Sequence, residues 1–196
     1  MSHLLGLTGS IGMGKSTTAQ MFRDEDVPVW DADACVHALY DRDGAAVDPI
    51  GAKFPDAIVD GAVSRNVLKD LIAEDSAVLA EIEAIVHPLV AADRQEFLKN
   101  NKAPLLVFDI PLLFETKADA WLNSVLVVSV PAEVQKQRVM ARPGMTEAQF
   151  AAMLAKQMPD AEKRARADHI IKTLDMDDTR AAVRHLIDEL TGAADA

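Results

Sequence analysis

The hydrophobic pattern of the chain consists of short apolar runs separated by longer amphipathic stretches. The runs lie at residues 4–8, 27–30, 105–109, 125–130 and 170–171. The run at 125–130 is apolar except at Ser129, which is typical of a strand buried on both faces of a parallel sheet. In the intervening stretches apolar residues recur every three or four positions, as in amphipathic helices. This alternation predicts an α/β fold.

The longest stretch without a strand signal runs from residue 34 to residue 100 and is mostly helical. Ser64 can cap one helix, and Pro88 suits the first turn of another, which places His87 at a helix junction. The stretch is too long for a simple crossover between two strands, so we expect a helical insertion that builds a substrate pocket. A last amphipathic helix is predicted near the carboxyl end, followed by a frayed tail at 192–196.

The composition restricts location and partners. The chain has 196 residues, 31 acidic and 20 basic, and its formal net charge is −11. This excess of negative charge disfavours a broad surface for nucleic acid or for anionic membranes. Cys35 is the only cysteine, which suits a reducing compartment, and we interpret it as a small buried side chain. No apolar run approaches the roughly 18 residues of a membrane span, so we expect a cytoplasmic protein without nucleic-acid or membrane partners.

A glycine-rich segment directly follows the first apolar run and has the pattern Gly-x-x-x-x-Gly-Lys-Ser at residues 9–16. Glycines allow the backbone to turn tightly and to bring amide N–H groups against anionic oxygens. Lys15 can place its charge between the β- and γ-phosphates of a nucleotide, and Ser16 can offer a hydroxyl to Mg²⁺. The helix predicted to begin here directs its positive end at the same anions. We therefore predict a phosphate-binding loop made of Gly9, Ser10, Ile11, Gly12, Met13, Gly14, Lys15, Ser16 and Thr17.

Aspartates stand at the carboxyl ends of the next two apolar runs, where open α/β sheets bind ligands. Asp31 and Asp33 follow the second run, and Asp109 ends the third. In a phosphoryl transferase, one such carboxylate can accept the proton of the attacking hydroxyl and another can hold metal-bound water. Asp31 is our candidate on the metal side, and Asp109 is a secondary metal candidate.

The carboxyl-terminal third contains the basic residues that a phosphate site would need. A helix opening at Pro131 is predicted to carry Arg138 and Arg142 on one face, four residues apart. Thr146 and Gln149 form a capping box for the following helix. Further basic residues come after it, at Lys156, Lys163, Arg164 and Arg166. We interpret 138–165 as a lid over the phosphates, although each of these last four residues taken singly is expected on a solvated helix face.

Taken together, these motifs resemble the dephospho-coenzyme A kinase family over nearly the whole chain. The residues that carry the resemblance are the loop at 7–17, Asp31-Ala32-Asp33, Gly61 with Arg65 and Leu68, Ile85-Val86-His87-Pro88-Leu89, Pro111-Leu112-Leu113-Phe114-Glu115, the run at 125–130, Gln137-Arg138, Arg142, Gln157 and Ala167-Asp168. The chain departs from the family pattern at Thr173, where Asn is usual, and at Phe54-Pro55, where Phe-Gly is common. These departures bear on the finer shape of the pocket.

The resemblance implies a P-loop kinase fold, a five-stranded parallel sheet flanked by helices. We expect a single domain that consists of a core at 1–33, 101–137 and 166–196, a helical substrate region at 34–100 and the mobile lid at 138–165. The implied reaction moves the γ-phosphoryl group of ATP to the ribose 3′-hydroxyl of dephospho-coenzyme A, with Mg²⁺.

The resemblance also implies roles for individual residues. Asp33 would be the base, Lys15 the phosphate clamp, and Ser16 with Asp31 the metal side. Arg138 and Arg142 would neutralise charge that develops during transfer. The residues assigned to the acceptor substrate are Asp33, Arg65, His87 and Leu112. From the residues alone, Arg65 is a solvated helix residue and His87 a packing or capping residue.

Two other functions fit parts of this pattern. One is a kinase of the same fold that acts on another small molecule, such as a nucleoside, a nucleotide or a sugar. The other is a nucleotide-dependent switch, but its guanine-specificity motif Asn-Lys-x-Asp is not matched, since Asn101-Lys102 is followed by Ala103-Pro104. The sequence leaves the oligomeric state open, and we expect a monomer.

Overall fold

The structure, a computed structural model, describes residues 2–192 and alternates strands and helices as predicted. In chain order the elements are β1 (His3–Thr8), α1 (Lys15–Asp24), β2 (Val29–Asp31), α2 (Ala32–Tyr40), α3 (Val47–Lys53), β3 (Ile58–Val59), β4 (Ala62–Val63), α4 (Arg65–Glu74), α5 (Ala77–Asn100), β5 (Leu105–Asp109), β6 (Ser124–Ser129), α6 (Ala132–Met140), α7 (Glu147–Ala155), α8 (Asp160–Arg166), β7 (His169–Lys172) and α9 (Met176–Thr191). Short 3₁₀ turns lie at Pro55–Ala57 and Ala118–Trp121. Beyond Gly192, the tail predicted to fray lies outside the described residues.

Five strands form one parallel sheet in the order β2-β5-β1-β6-β7. Each predicted strand is confirmed, with bounds that differ by at most two residues. Strand β1 is central and pairs in parallel with β5 and β6, for example Leu7 with Asp109 and Leu7 with Leu126. The carboxyl ends of these three strands therefore meet at one edge of the sheet. That edge carries the loop after β1 and the aspartate that ends β5.

The chain divides into two compact units, which we call the sheet unit and the helical unit. Of the described residues, the sheet unit comprises 2–30 and 101–192, and the helical unit is Asp31–Asn100. The sheet unit buries apolar residues of its strands together with Phe22 of α1 and Val183 of α9, as the predicted amphipathic pattern requires. The helical unit has a core of its own around seven buried side chains, which are Ala46, Ile50, Ala57, Val63, Leu68, Ile82 and Val86. Among the described residues, no helix is long and apolar enough to cross a membrane.

The prediction that 34–100 contains no strand is wrong, because β3 and β4 form a short antiparallel hairpin. Asp60 and Gly61 connect the two strands with φ values of 51° and 80°. Positive φ at both central residues is the geometry of the tight hairpin turns that favour Asp-Gly. The dipeptide was a local signal for this hairpin, but strands of two residues leave almost no hydrophobic pattern.

The prediction that Pro88 lies in the first turn of a helix is wrong, because Pro88 lies inside the 24-residue helix α5. His87 is therefore exposed in the middle of a helix rather than at a junction. A proline ring removes the hydrogen bond to the carbonyl four residues earlier, here that of Ala84. The helix continues through it because Ile82 and Val86, on the turns before the proline, are anchored in the core of the helical unit.

Lys163 contradicts the expectation of a solvated helix face, since its side chain is fully buried. Its Nζ lies 3.0 Å from the carboxylate of Glu115, which also accepts a hydrogen bond of 2.7 Å from the backbone N–H of Met158. Burial alone would raise the pKa of Glu115, but the hydrogen bonds and the charge of Lys163 lower it overall. Helix α8 packs against β6, and the ion pair fixes the end of the proposed lid to the segment after β5.

Replacing Pro88 by alanine should stabilise the protein. The substitution Pro88→Ala supplies the missing N–H and removes the ring clash in an exposed part of α5, so we expect the free energy of unfolding to rise by about 1–3 kcal/mol. Urea unfolding followed by circular dichroism measures this. The control is Pro131→Ala, because Pro131 precedes α6, where a missing N–H is not needed. Unchanged or reduced stability of the first variant would contradict the prediction.

Breaking the buried ion pair should destabilise the protein. Lys163→Met leaves the partly buried Glu115 without its cation, and we expect a loss of about 2–4 kcal/mol, whereas Lys53→Met in the half-exposed pair with Glu81 should cost less than about 1 kcal/mol. The pKa of Glu115 is lower in the folded state than its ordinary value of 4.5. The ion pair therefore contributes to the free energy of unfolding at pH values above 4.5, and this contribution is lost as the pH falls below 4.5. Denaturant titrations at neutral and acidic pH test both statements. Equal losses for the two lysine variants would contradict the first statement, and a loss for Lys163→Met that is the same at both pH values would contradict the second.

Candidate active site

The loop between β1 and α1 has the backbone conformation of a phosphate-binding loop. Gly12 and Gly14 have φ values of 78° and 89°, which non-glycine residues rarely adopt. A Cβ atom on Gly12 would lie 2.6 Å from the side chain of Val139. Helix α1 begins directly after this turn, at Lys15, so its unpaired N-terminal amides and its positive end lie at the loop. Both the backbone conformation and the lack of room for a side chain thus support the predicted roles of these glycines.

Side chains hold two carbonyl groups of this loop in place. The Nε2 of Gln135 donates to the carbonyl of Ile11 at 2.8 Å, and the hydroxyl of Thr173 donates to the carbonyl of Met13 at 2.7 Å. In a trans peptide the N–H points away from the preceding carbonyl, so the amides of Gly12 and Gly14 are directed away from these side chains. The N–H of Ile11 is itself held, at 3.1 Å from Oε1 of Gln157.

Lys15 forms an ion pair with Asp109, the residue that ends β5. The carboxylate is 3 % exposed, whereas the lysine side chain is 16 % exposed and so remains open to a ligand. The contact follows from the sheet order, because β1 and β5 are neighbours and their carboxyl ends coincide. Asp109, predicted as a secondary metal candidate, is thus in direct contact with the loop.

A cavity of about 340 Å³ adjoins the loop, within the size range of small-molecule sites. The residues that line it are Gly12, Gly14, Thr17, Thr18, Arg138, Arg142, Thr173, Met176 and Thr179. The predicted pair Arg138 and Arg142 therefore shares one cavity. The predicted helical spacing of the pair was wrong, however, since α6 ends at Met140 and Arg142 is not on the helix. Arg138 donates to the hydroxyl of Thr173 at 3.2 Å and to its carbonyl at 2.6 Å.

The oxygen ligands near the loop suit Mg²⁺ bound together with a nucleotide. Ser16 is exposed in the first turn of α1, and Asp109 supplies a carboxylate beside Lys15. Within residues 2–192, no group of three or more His, Cys, Asp or Glu side chains could hold a metal ion unaided. Mg²⁺ commonly takes one or two protein ligands and completes its shell with substrate phosphates and water, so this sparse set of hard oxygens fits it.

The remaining predicted site residues, Asp31 of the metal side and those assigned to the acceptor, lie mostly in the helical unit. Asp31 caps α2, its carboxylate accepting from the N–H of Ala34 at 2.9 Å, and Asp33 is exposed in the first turn of the same helix. Arg65 begins α4, with its guanidinium 5.6 Å from the centre of the Tyr40 ring. Leu112 belongs to the sheet unit, where it is 38 % exposed after β5.

Cys35 is buried in the helical unit, as expected. Burial, followed by a hydrogen bond with Asp93, raises the pKa of its thiol to about 12. A thiolate nucleophile is therefore excluded at this position at neutral pH.

Sequence reasoning missed the residues whose side chains hold the phosphate loop and the end of the predicted lid in place. Gln135 is one of several polar residues on α6, and no local spacing distinguishes it from a solvated one. Thr173 drew attention only as a departure from the family pattern, and Gln157 and Glu115 only as parts of family motifs. Their roles depend on contacts between elements far apart in the chain, which periodicity cannot show.

Comparisons with known proteins agree with this geometry. A family model described as dephospho-CoA kinase matches residues 3–177. The chain is 60 % identical to the dephospho-CoA kinase of Ruegeria pomeroyi, with 97 % of this chain and 96 % of the relative covered. It is 59 % identical to that of Jannaschia sp., with 97 % and 98 % covered.

Two solved structures share this fold. The crystal structure of TT1252 from Thermus thermophilus superposes with a TM-score of 0.84 at 36 % identity, covering 96 % of this chain and 98 % of that one. The dephospho-CoA kinase of Campylobacter jejuni superposes with a TM-score of 0.73 at 26 % identity, covering 99 % and 100 %. The family match, the close relatives and the phosphate loop together show that the chain belongs to the dephospho-CoA kinase family.

Proposed function

We propose that the protein transfers the γ-phosphoryl group of ATP to the ribose 3′-hydroxyl of dephospho-coenzyme A, giving coenzyme A and ADP. The observation that carries this proposal is the phosphate-loop conformation of residues 9–17, with Lys15 at the start of α1 and two arginines lining the adjoining cavity. Family membership supports the choice of acceptor. The protein would act in the cytoplasm as a monomer, with ATP and dephospho-coenzyme A as its ligands.

The sheet unit supplies the groups that would bind the nucleotide. Backbone amides at Gly12 and Gly14 and the N-terminus of α1 offer N–H groups to phosphate oxygens. The ammonium of Lys15 would balance the charge of the β- and γ-phosphates, and Arg138 and Arg142 would neutralise charge that develops on the transferred group. Phosphoryl transfer needs little covalent chemistry from the protein, so catalysis rests on this positioning and charge.

Mg²⁺ would be held by the hydroxyl of Ser16 with carboxylates from Asp31 and Asp109, and it would supply charge neutralisation on the phosphates. The helical unit would supply the acceptor side. Asp33 is exposed and free of the capping contact that occupies Asp31, which favours Asp33 as the group that receives the hydroxyl proton. Arg65, His87 and Leu112 would contact the rest of the acceptor.

The segment 138–165 would act as a lid over the phosphates. Gly144 has a φ of 75°, and a Cβ atom there would have no neighbour within 4 Å, so the backbone at this position has the freedom that a hinge needs. At the other end, Gln157 contacts the phosphate loop and Lys163 is fixed by Glu115. Motion would therefore be concentrated between the hinge and Gln157.

A coupled assay for ADP release, run with and without dephospho-coenzyme A, tests the proposal. ADP should form only when the acceptor is present, in a one-to-one ratio with coenzyme A. A panel of nucleosides, nucleotides and sugars tests the alternative of a different small-molecule kinase. ADP release with one of these, but not with dephospho-coenzyme A, would refute the proposed acceptor.

Removing the charge of Lys15 should abolish transfer. We expect Lys15→Ala to lower turnover by about 10³-fold, equivalent to about 4 kcal/mol in the barrier. Asp109 would then be buried without its cation, so the double variant Lys15→Ala/Asp109→Asn separates activity from stability: it should fold but remain inactive. The control is Lys102→Ala, at an exposed lysine before β5. Turnover of Lys15→Ala within tenfold of the wild type would contradict this role.

Asp33→Asn should reduce turnover by about 10²- to 10⁴-fold while ATP affinity stays nearly constant. Asp33 is exposed, so stability should hardly change, and Asp31→Asn should also fold, because asparagine caps a helix about as well as aspartate does. Turnover and ATP affinity are measured for the Asn variants at Asp31, Asp33 and Asp109 under one Mg²⁺ concentration. If Asp33→Asn keeps most of its turnover, or if excess Mg²⁺ restores it, Asp33 belongs to the metal side instead.

A further inference from the structure

Thr173 connects two parts of the site that the proposed function needs. It lies directly after β7 and is 8 % exposed. Its hydroxyl donates to the carbonyl of Met13 at 2.7 Å and accepts from Nη1 of Arg138 at 3.2 Å. Its backbone carbonyl accepts from Nη2 of the same arginine at 2.6 Å, and its N–H donates to the carbonyl of Ser129 at 3.2 Å. The residue is thus itself anchored to the sheet.

The bond to Met13 determines the direction of an amide in the phosphate loop. Because a trans peptide holds C=O and N–H on opposite sides, a carbonyl of Met13 fixed on Thr173 turns the N–H of Gly14 away from it. The φ of 89° at Gly14 makes this peptide one that could otherwise rotate easily. A Cβ on Gly14 would lie only 2.8 Å from Oγ of Thr173, so the loop is packed directly on this side chain.

A single oxygen serves both contacts. A hydroxyl has one O–H to donate and lone pairs to accept, and here the proton goes to Met13 while Arg138 donates to the oxygen. The same atom therefore orients a loop amide and a guanidinium, the two kinds of group that would face the phosphates. Valine has almost the same shape as threonine but offers neither contact, whereas serine keeps both.

We propose that Thr173 is a positioning residue for phosphoryl transfer, acting through the Gly14 amide and Arg138. The inference rests on the proposed function. Thr173 would align the Gly14 amide and Arg138 with the transferred phosphoryl group. A displacement of such groups by about 1 Å can lower the rate a hundredfold. Loss of the hydroxyl should therefore change kcat much more than KM for ATP.

The experiment compares Thr173→Val and Thr173→Ser in the full chain with ATP and dephospho-coenzyme A. We expect Thr173→Val to lower kcat by about ten- to a hundredfold, with KM for ATP changed by less than about threefold. Thr173→Ser should stay within about threefold of the wild type in both constants. Thr191→Val is the matched control, because that hydroxyl also donates to a backbone carbonyl, at 2.8 Å, but at the far end of α9. Its kinetics should not change.

Thermal unfolding of every variant separates alignment from folding, and Thr173→Ala is a second variant without the hydroxyl if the valine variant does not fold. A lowered kcat in Thr173→Val or Thr173→Ala, together with a nearly wild-type kcat in Thr173→Ser, supports the proposal. Wild-type kcat in the folded Thr173→Val protein overturns it, as does a serine variant as slow as valine, which would assign the effect to the methyl group. A wild-type protein that transfers no phosphoryl group to dephospho-coenzyme A would refute the proposed function itself.

Discussion

A phosphate-binding loop depends on partners for the carbonyl groups that it turns away from the ligand. Each amide directed at an anion requires the preceding carbonyl to point to the opposite side, and a buried carbonyl left without a donor costs about 1–3 kcal/mol. In this chain the carbonyl of Ile11 is held by Gln135, that of Met13 by Thr173, and that of Ser10 by the N–H of Met13. The loop conformation is therefore maintained largely by groups from outside the loop.

The side of the sheet that carries β6 and β7 meets this requirement, since β6 pairs with β1 and β7 pairs with β6. Gln135 is on α6, directly after β6, and Thr173 directly follows β7. Both side chains reach the loop because the carboxyl ends of the parallel strands share one edge. On the other side of β1, strand β5 brings Asp109 to Lys15. The strands on one side of β1 thus supply the carbonyl partners, and the strand on its other side supplies the counter-charge.

Much of this arrangement could be predicted from the sequence. The five strands and the phosphate loop each produce a local pattern of apolar residues or glycines, and the capping box of Thr146 and Gln149 is confirmed in α7. Two of the errors fall where distant contacts override local patterns. Helix α5 continues through Pro88 because the core of the helical unit holds the turns before this proline. Lys163 is buried because the carboxylate of Glu115 compensates its charge. Thr173 and Gln135 gave no local signal, since their function lies in a bond to a loop more than a hundred residues away along the chain.

These contacts imply that the phosphate loop is held ready by the protein before a nucleotide binds. Two crystal structures, one without nucleotide and one with a non-hydrolysable ATP analogue, test this most directly. We predict that the carbonyls of Ile11 and Met13 stay on Gln135 and Thr173 in both, and that the peptides at Gly12 and Gly14 keep one orientation. A nucleotide-free structure in which either carbonyl has turned toward the phosphate position would contradict a preformed loop.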